Sequence, residues 1–182
     1  MMDWSSIECV EGPNLTLRLI IPNDAAYVHS LRSNPAYNTH LSTVTGTVDD
    51  QRTWIEDYKS REAQGQEFYY VIERKDGTRC GLVRLYDIEA KSFTWGSWIL
   101  DENKTRKAAL ESAVLIYEVG FDGLDCDHAV FDVRSDNIHT LTFHRRFGAH
   151  AVASDEPNVY FIYEQSQFAA DQMHYLKLLS EN

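Results

Sequence analysis

Apolar and polar residues alternate along the first part of the chain in patterns typical of short strands and amphipathic helices. Residues 14–21 (NLTLRLII) alternate in the way that predicts a half-buried strand. The Pro-Asn-Asp that follows is a helix-start signal, so we predict a helix over 22–34. A second helix is predicted over 47–65, because acidic residues occupy its first turn and Gly65 provides a stop.

The middle of the chain is rich in residues that favour strands. Residues 67–74 (EFYYVIER) and 79–89 (RCGLVRLYDIE) flank the turn KDGT, and an Asp-Gly pair between two such runs favours a hairpin. Another strand is predicted at 92–100 (SFTWGSWIL). These runs therefore predict a hairpin followed by one further strand.

After residue 100 the hydrophobic pattern changes to that of a helix. Ala109, Ala113 and Gly120 share one face at helical spacing. The remaining predicted elements are strands at 127–135, 149–154 and 158–164, a helix over 137–148 and a terminal helix over 167–179. The order of elements predicts a single mixed α/β domain over residues 1–182.

The composition agrees with one globular domain and narrows the function. The 182 residues are 43% hydrophobic and 25% charged, which allows a sizeable core. No apolar run approaches the roughly 18 residues of a membrane span, and the first residues lack the basic and apolar regions of a signal peptide. We therefore expect a cytoplasmic protein with no membrane partner. Three widely spaced cysteines indicate neither a disulfide framework nor a metal site.

The chain is acidic as a whole but contains one short basic segment at residues 104–107. A net charge of −11 argues against nucleic acid as a partner, because binding a phosphate backbone relies on Lys and Arg. Lys104, Arg106 and Lys107 nevertheless directly precede a predicted helix, and Thr105 to Ala109 would supply free N–H groups. Cations at a helix N-terminus oppose the helix dipole, so a bound anion explains this placement better than simple solvation does.

Two motifs accompany this order of elements. The turn KTRKAA at 104–109 lies between a strand and a helix, and a later helix begins at Asn137, carries His144 two turns on and closes with Phe147 and Gly148. With the element order from residue 15 to about 164, they resemble the GNAT superfamily of acyl-CoA-dependent N-acetyltransferases. The resemblance is greatest to the branch that includes ribosomal-protein and amino-sugar acetyltransferases. It implies a mixed, mostly antiparallel twisted sheet flanked by helices.

The resemblance also implies that acetyl-CoA is the acyl donor, and it implies which residues hold it. In the family the turn has the form Gln/Arg-x-x-Gly-x-Gly/Ala and holds the pyrophosphate. Here Lys107 stands at the central glycine, and His144 replaces a tyrosine of the second motif. A backbone N–H at a strand bulge near Trp98 to Leu100 is the implied oxyanion donor. The implied cofactor-binding residues are Trp98, Ile99, Leu100, Lys104, Thr105, Arg106, Lys107, Ala108, Ala109, Asn137 and His144.

Acetyl transfer also needs a proton donor and a proton acceptor. His144, with an ordinary pKa of about 6.5, is the candidate acid, although it also fits an exposed basic helix face with the two arginines that follow it. Asp87, Glu89 and Asp132 are candidate bases, and Asp132 is preferred because a charge is unexpected in the middle of a strand. Asn137 is a helix cap or a hydrogen-bond partner of the cofactor.

Aromatic residues on the middle strands indicate where the acceptor binds. Tyr86 and Trp95 are candidate substrate contacts, because sugar rings stack on flat apolar faces. We predict acetylation of the primary amine of a small molecule, for which a nucleotide-linked amino sugar is a candidate. Acetylation of protein N-termini, favoured by the net charge of −11, and a CoA-binding module without turnover are alternatives. The terminal helix offers a surface for a homodimer.

Overall fold

The computed structural model describes residues 2–181, in which one sheet carries helices on both faces. The strands are β1 (Cys9–Glu11), β2 (Leu15–Leu19), β3 (Phe68–Arg74), β4 (Arg79–Tyr86), β5 (Ser92–Leu100), β6 (His128–Arg134), β7 (His150–Ser154) and β8 (Asn158–Glu164). The α-helices are α1 (Ser5–Glu8), α2 (Ala25–Arg32), α3 (Pro35–Asn38), α4 (Val48–Ala63), α5 (Ala108–Glu118), α6 (Ile138–Phe147) and α7 (Gln165–Ser180). A 3₁₀ turn at Pro22–Asp24 precedes α2, and a π-helical turn at Val119–Gly123 extends α5.

The strand order across the sheet is β1-β2-β3-β4-β5-β6-β8-β7. Neighbouring strands are antiparallel except β5 and β6, which run parallel. A parallel pair needs a crossover connection, and here α5 provides it. The mixed, mostly antiparallel sheet that the sequence predicted is confirmed.

The parallel pair is joined at one end only. Its register comprises Ser92 opposite His128 and Phe93 opposite Ala129. The rest of β5 pairs with β4, and the rest of β6 pairs with β8. The two strands therefore separate after their first residues, and the sheet opens into a cleft at its centre.

Two hydrophobic layers cover the two faces of the sheet. Successive side chains of a strand point to opposite faces, so Val83 and Leu85 lie in the layer beneath α5, α6 and α7, whereas Leu82 lies in the layer beneath α2 and α4. We call these the α5 face and the α4 face. Arg84 has the same parity as Leu82 and therefore lies on the α4 face.

Capping and turn residues explain several of the element boundaries. The side chain of Thr47 accepts a hydrogen bond from the N–H of Asp50, and the Asp50 carboxylate accepts one from the N–H of Thr47, which forms the capping box of α4. Gly77 in the β3–β4 turn and Gly148 after α6 have φ angles of +85° and +111°, which favour glycine. The predicted hairpin and the predicted end of the later helix are thus confirmed.

Helix α7 packs on the α5 face through Phe168, Tyr175 and Leu179, which are buried. Met173 is exposed. A homodimer through this helix stays a prediction.

Within residues 2–181, none of the helices is long and apolar enough to span a membrane.

Candidate active site

The cleft between β5 and β6 has a volume of about 600 Å³ and opens toward both faces of the sheet. Its lining residues from the α5 face are Trp95, Trp98, Leu100, Phe131, Val133, Asn137, Thr140 and His144. From the α4 face, Gly96, Ile99, Asp132 and Arg134 are joined by Tyr37, His40, Leu41 and Ser42 from α3 and the loop that follows it. His40 Nδ1 lies 3.3 Å from the carboxylate of Asp136, so the loop after α3 approaches the segment that precedes α6.

Strand β5 carries a bulge where it borders this cleft. Leu82 of β4 is opposite Ile99, and Arg84 is opposite Gly96, so β5 has one residue more than β4 in this interval. Ser97 has a φ of +48°, which is unusual for a residue other than glycine. The structure therefore contains the bulge that the family resemblance implied, immediately before Trp98. A strand pattern alone does not reveal it, because the extra residue shows only in the pairing with β4.

The basic turn follows the end of β5. Asp101 is buried, accepts a hydrogen bond from the Tyr27 hydroxyl at 2.7 Å, and accepts another from the N–H of Asn103 at 2.8 Å, which fixes the start of the turn. Among the described residues, no side chain caps the N-terminus of α5 and none hydrogen-bonds to the buried hydroxyl of Thr105. Free N–H groups and a spare hydroxyl are donors suited to a phosphate group.

The three cations of the turn have different surroundings. Lys104 and Arg106 are exposed. Lys107, by contrast, directs its ammonium to the carbonyl oxygens of Leu178 and of Glu181, the latter at 2.6 Å, at the end of α7. Lysine near a helix C-terminus satisfies free carbonyls and complements the dipole. Lys107 thus has a structural role at the end of α7 that the sequence did not indicate.

His144 lies in the core of the α5 face, where it is 4% exposed. The expectation that it shares an exposed basic face with Arg145 and Arg146 is wrong, because only the two arginines are exposed. Its ring centroid lies 4.5 Å from that of Phe131 and 5.3 Å from that of Trp95. Burial lowers the pKa of His144 to about 3, so the imidazole is neutral near pH 7.

One ring nitrogen of His144 is buried and makes no hydrogen bond to residues 2–181. This atom is Nδ1, and the residue lines the cleft. A neutral imidazole carries one N–H donor and one acceptor nitrogen. It can therefore orient a group in the cleft by hydrogen bonding, whereas an acidic imidazolium proton is absent near pH 7.

Asn137 and Asp132 line the cleft from different faces. The Asn137 side chain accepts a hydrogen bond from the N–H of Thr140 at 3.3 Å, so its predicted role as the cap of α6 is confirmed. Asp132 is exposed, which explains how a charge is tolerated in the middle of β6. Burial and then the charge of Asp132 raise the pKa of Tyr86, so these two groups lie near each other on the α4 face.

The two predicted substrate contacts do not lie together. Trp95 is 3% exposed and packs in the α5 face against Trp98, with ring centroids 5.1 Å apart. Tyr86 lies on the α4 face, where the guanidinium of Arg84 is 4.6 Å from its ring centroid. The sheet separates these faces, so Trp95 belongs to the wall around His144 and Tyr86 belongs to the side of Asp132.

A second cavity of about 450 Å³ lies on the α4 face, and the sequence analysis missed it. Its lining residues are Arg32, Ser42, Thr43, Val44, Thr45, Thr47, Asp50, Gln51, Trp54, Tyr69 and Arg84. One signal was present in the sequence: Arg84 interrupts an apolar strand, where an unpaired charge is costly.

Within residues 2–181, no group of three or more His, Cys, Asp or Glu side chains is placed to hold a metal ion.

Comparisons of the sequence with known proteins agree with this architecture. A family model described as the acetyltransferase (GNAT) domain matches residues 14–150. The chain is similar to the SPbeta prophage-derived uncharacterized N-acetyltransferase YokL of Bacillus subtilis. The two are 23% identical over 139 residues, which cover 75% of this chain and 76% of that protein.

Solved structures give the same result. The fold is similar to that of apo FdhC, a nucleotide-linked sugar GNAT, with a TM-score of 0.86, 40% sequence identity, and coverage of 96% of this chain and 98% of that one. A GCN5-related N-acetyltransferase from Brucella melitensis shares the fold with a TM-score of 0.78 and 17% identity over 94% of this chain and 85% of that one.

Proposed function

Since the chain belongs to the acetyltransferase (GNAT) family and is therefore an acyltransferase, we propose that it moves an acetyl group from acetyl-CoA to the primary amine of a nucleotide-linked amino sugar. One observation carries this proposal: the cleft borders a bulged strand that leads through a basic turn to the uncapped N-terminus of α5. The 40% identity to a nucleotide-linked sugar GNAT supports the choice of acceptor.

The turn at residues 104–109 is the proposed site for the diphosphate of acetyl-CoA. The first-turn N–H groups of α5 provide directional donors, and Lys104 and Arg106 are exposed beside them. The Thr105 hydroxyl adds a donor that has no partner in the described part of the chain. Lys107 supports the site indirectly, because it holds the end of α7 against the start of α5.

In the proposed reaction, the amine nitrogen attacks the thioester carbonyl carbon, so a C–N bond forms as the C–S bond breaks. A backbone N–H beside the Ser97 bulge stabilises the oxygen that becomes negative. The nitrogen gives up one proton and the departing thiolate takes one. Asp132, exposed at the cleft on the α4 face, is the proposed acceptor of the amine proton.

His144 acts in its neutral form in this scheme. Its N–H donates a hydrogen bond to the thioester or the departing sulfur, and Phe131 and Trp95 fix the ring. Asn137 holds the start of α6, and therefore His144, in place. The proton that the thiolate needs then comes from solvent or from the protonated Asp132.

A panel of acceptors tests the proposal. The protein is mixed with acetyl-CoA and, separately, with nucleotide-linked amino sugars, free amino sugars, polyamines and basic peptides, and free thiol is followed over time. Release of thiol with nucleotide-linked amino sugars, and loss of this release in Asp132→Asn, is the expected result. Turnover with any of the other classes, together with no turnover of nucleotide-linked amino sugars, would contradict the proposed acceptor.

The N-terminus of a basic protein is a second candidate acceptor. The net charge of −11 favours attraction of cationic peptides to the surface. The same panel separates the two, because a basic peptide acceptor gives a rate that falls steeply with added salt. A rate confined to the basic peptides would establish this alternative.

A further inference from the structure

The second cavity contains three buried donor groups that have no hydrogen-bond partner among residues 2–181. These groups are the Nε of Arg32, the Nε of Arg84 and the hydroxyl of Tyr69. Tyr69 is 2% exposed, and all three residues line the cavity. A buried donor without a partner costs roughly 1–3 kcal/mol, so three of them in one cavity indicate a ligand that accepts hydrogen bonds.

The charge around these donors favours an anion. Arg32 hydrogen-bonds to the carbonyl and, at 2.8 Å, to the hydroxyl of Ser42, and it has no carboxylate partner among residues 2–181. Arg84 pairs with Glu67, but that carboxylate also pairs with Arg61 at 2.5 Å. One carboxylate therefore serves two arginines.

Two further groups could oppose or support an anion here. The carboxylate of Asp50 lines the cavity, but its Oδ2 accepts hydrogen bonds from the N–H and the hydroxyl of Thr47 in the capping box of α4. Burial raises the pKa of Tyr69, and the charges of Arg32 and Arg84 oppose that increase. The two guanidinium groups thus act on the same hydroxyl.

The position of the cavity links it to the proposed reaction. Arg84 is opposite Gly96, which directly precedes the bulged Ser97. Ser42 lines both the second cavity and the cleft. A single ligand can therefore place an anionic portion beside Arg32 and Arg84 and an uncharged portion at the bulge.

We propose that this cavity binds the diphosphate of the acceptor, held by Arg32, Arg84 and Tyr69, while the amino sugar enters the cleft. This assignment rests on the proposed function, because it takes the acceptor to be nucleotide-linked. Arginine guanidinium groups bind phosphate oxygens bidentately, and the phenol adds one more donor. The diphosphate of acetyl-CoA has the same chemistry, and the test must therefore distinguish donor from acceptor.

Binding of uridine diphosphate and thymidine diphosphate, measured by calorimetry without any acyl donor, tests the site directly. We expect Arg32→Gln and Tyr69→Phe each to weaken binding, by about tenfold for the charged group. Arg52→Gln is the matched control, because Arg52 also lies on the α4 face but donates to the carbonyl of Pro22 outside the cavity. Equal affinities in the three variants and the wild type would overturn the assignment.

Tyr69→Phe gives a readout that does not depend on a folding defect. The hydroxyl has no hydrogen-bond partner among residues 2–181, so its removal is expected to leave the midpoint of thermal unfolding unchanged or raise it. A merely structural hydroxyl would instead lower the midpoint on removal. Loss of diphosphate binding in a variant of unchanged or higher stability is the expected combination.

Acetyl-CoA affinity separates the two sources of diphosphate. We expect Arg32→Gln to raise the KM for the nucleotide-linked acceptor and to leave the Kd of acetyl-CoA unchanged. A weaker Kd for acetyl-CoA, with unchanged uridine diphosphate binding, would assign the cavity to the donor and overturn the proposal. Diphosphate binding without any acetyl transfer would contradict the proposed function alone. Transfer to nucleotide-linked amino sugars with an unchanged KM in Arg32→Gln would contradict the diphosphate site alone.

Discussion

At the scale of single residues, the surroundings of a side chain decide its chemistry more than its position in a motif does. His144 stands where the family has a tyrosine, and its charged form would have suited an acid catalyst. Burial among Phe131, Trp95 and Phe161 instead keeps it neutral. Its neighbours Arg145 and Arg146 are exposed, and this contrast within three consecutive residues is not visible in the sequence.

The low pKa of His144 predicts how stability changes with pH. The folded chain holds the pKa near 3, whereas an unfolded histidine titrates near 6.5. The neutral ring therefore stabilises the fold fully above pH about 6.5, and this contribution is lost as the pH falls toward 3. At about 1.4 kcal/mol per pKa unit, the loss amounts to a few kcal/mol.

His144→Phe should flatten the fall in the free energy of unfolding between pH 6.5 and 4, as measured by urea denaturation at a series of pH values. His150→Gln is the control, since His150 is exposed on β7. If His144→Phe and the wild type lost stability in parallel over this range, the imidazole would not be buried as the structure places it.

At the scale of elements, β5 combines several tasks in nine residues. It pairs with β4 along its length, carries the bulge at Ser97, leaves β6 after Phe93 and leads into the basic turn. Hydrophobic alternation predicted the strand but neither the bulge nor the departure from β6. Both depend on pairing with residues that are distant in the chain, and a local pattern contains no such information.

The junction of α5 and α7 gives a prediction about the basic turn. Lys107→Met removes the hydrogen bonds to the carbonyls of Leu178 and Glu181, and should lower the free energy of unfolding by about 1–2 kcal/mol. Hydrogen exchange in the last turn of α7 should accelerate with it. The Kd of acetyl-CoA should change little.

Lys104→Met is the matched variant for this test. Lys104 is exposed on the same turn, so its removal should leave stability unchanged and weaken acetyl-CoA binding severalfold. A Lys107→Met protein with wild-type stability and a weaker Kd for acetyl-CoA would reverse the roles assigned to the two lysines.

At the scale of the whole molecule, the periodic patterns of the sequence predicted local elements better than they predicted contacts between distant residues. The long helices and most strands lie where the sequence indicated, because each has a buried face of several residues. The short elements α1, β1 and α3 went unpredicted, since three or four residues show no period. The cavity of Arg32 and Arg84 brings together residues that only the folded sheet places side by side.

The opening of the sheet toward both faces has a kinetic consequence. The basic turn proposed to bind acetyl-CoA leads into α5 on one face, and the proposed acceptor cavity lies on the other. Neither substrate therefore needs to leave before the other enters. None of the three cysteines lines the cleft in the described chain, and burial raises the pKa values of Cys80 and Cys126 to about 11, which disfavours an acylated thiol.

Direct transfer within a ternary complex should therefore give intersecting double-reciprocal lines when both substrates are varied. Parallel lines, the signature of a ping-pong cycle, would require a covalent acyl-enzyme that the cleft provides no thiol to form. The separation of β5 from β6 after two pairs of residues thus predicts the order of events during turnover: both substrates are bound before either product departs.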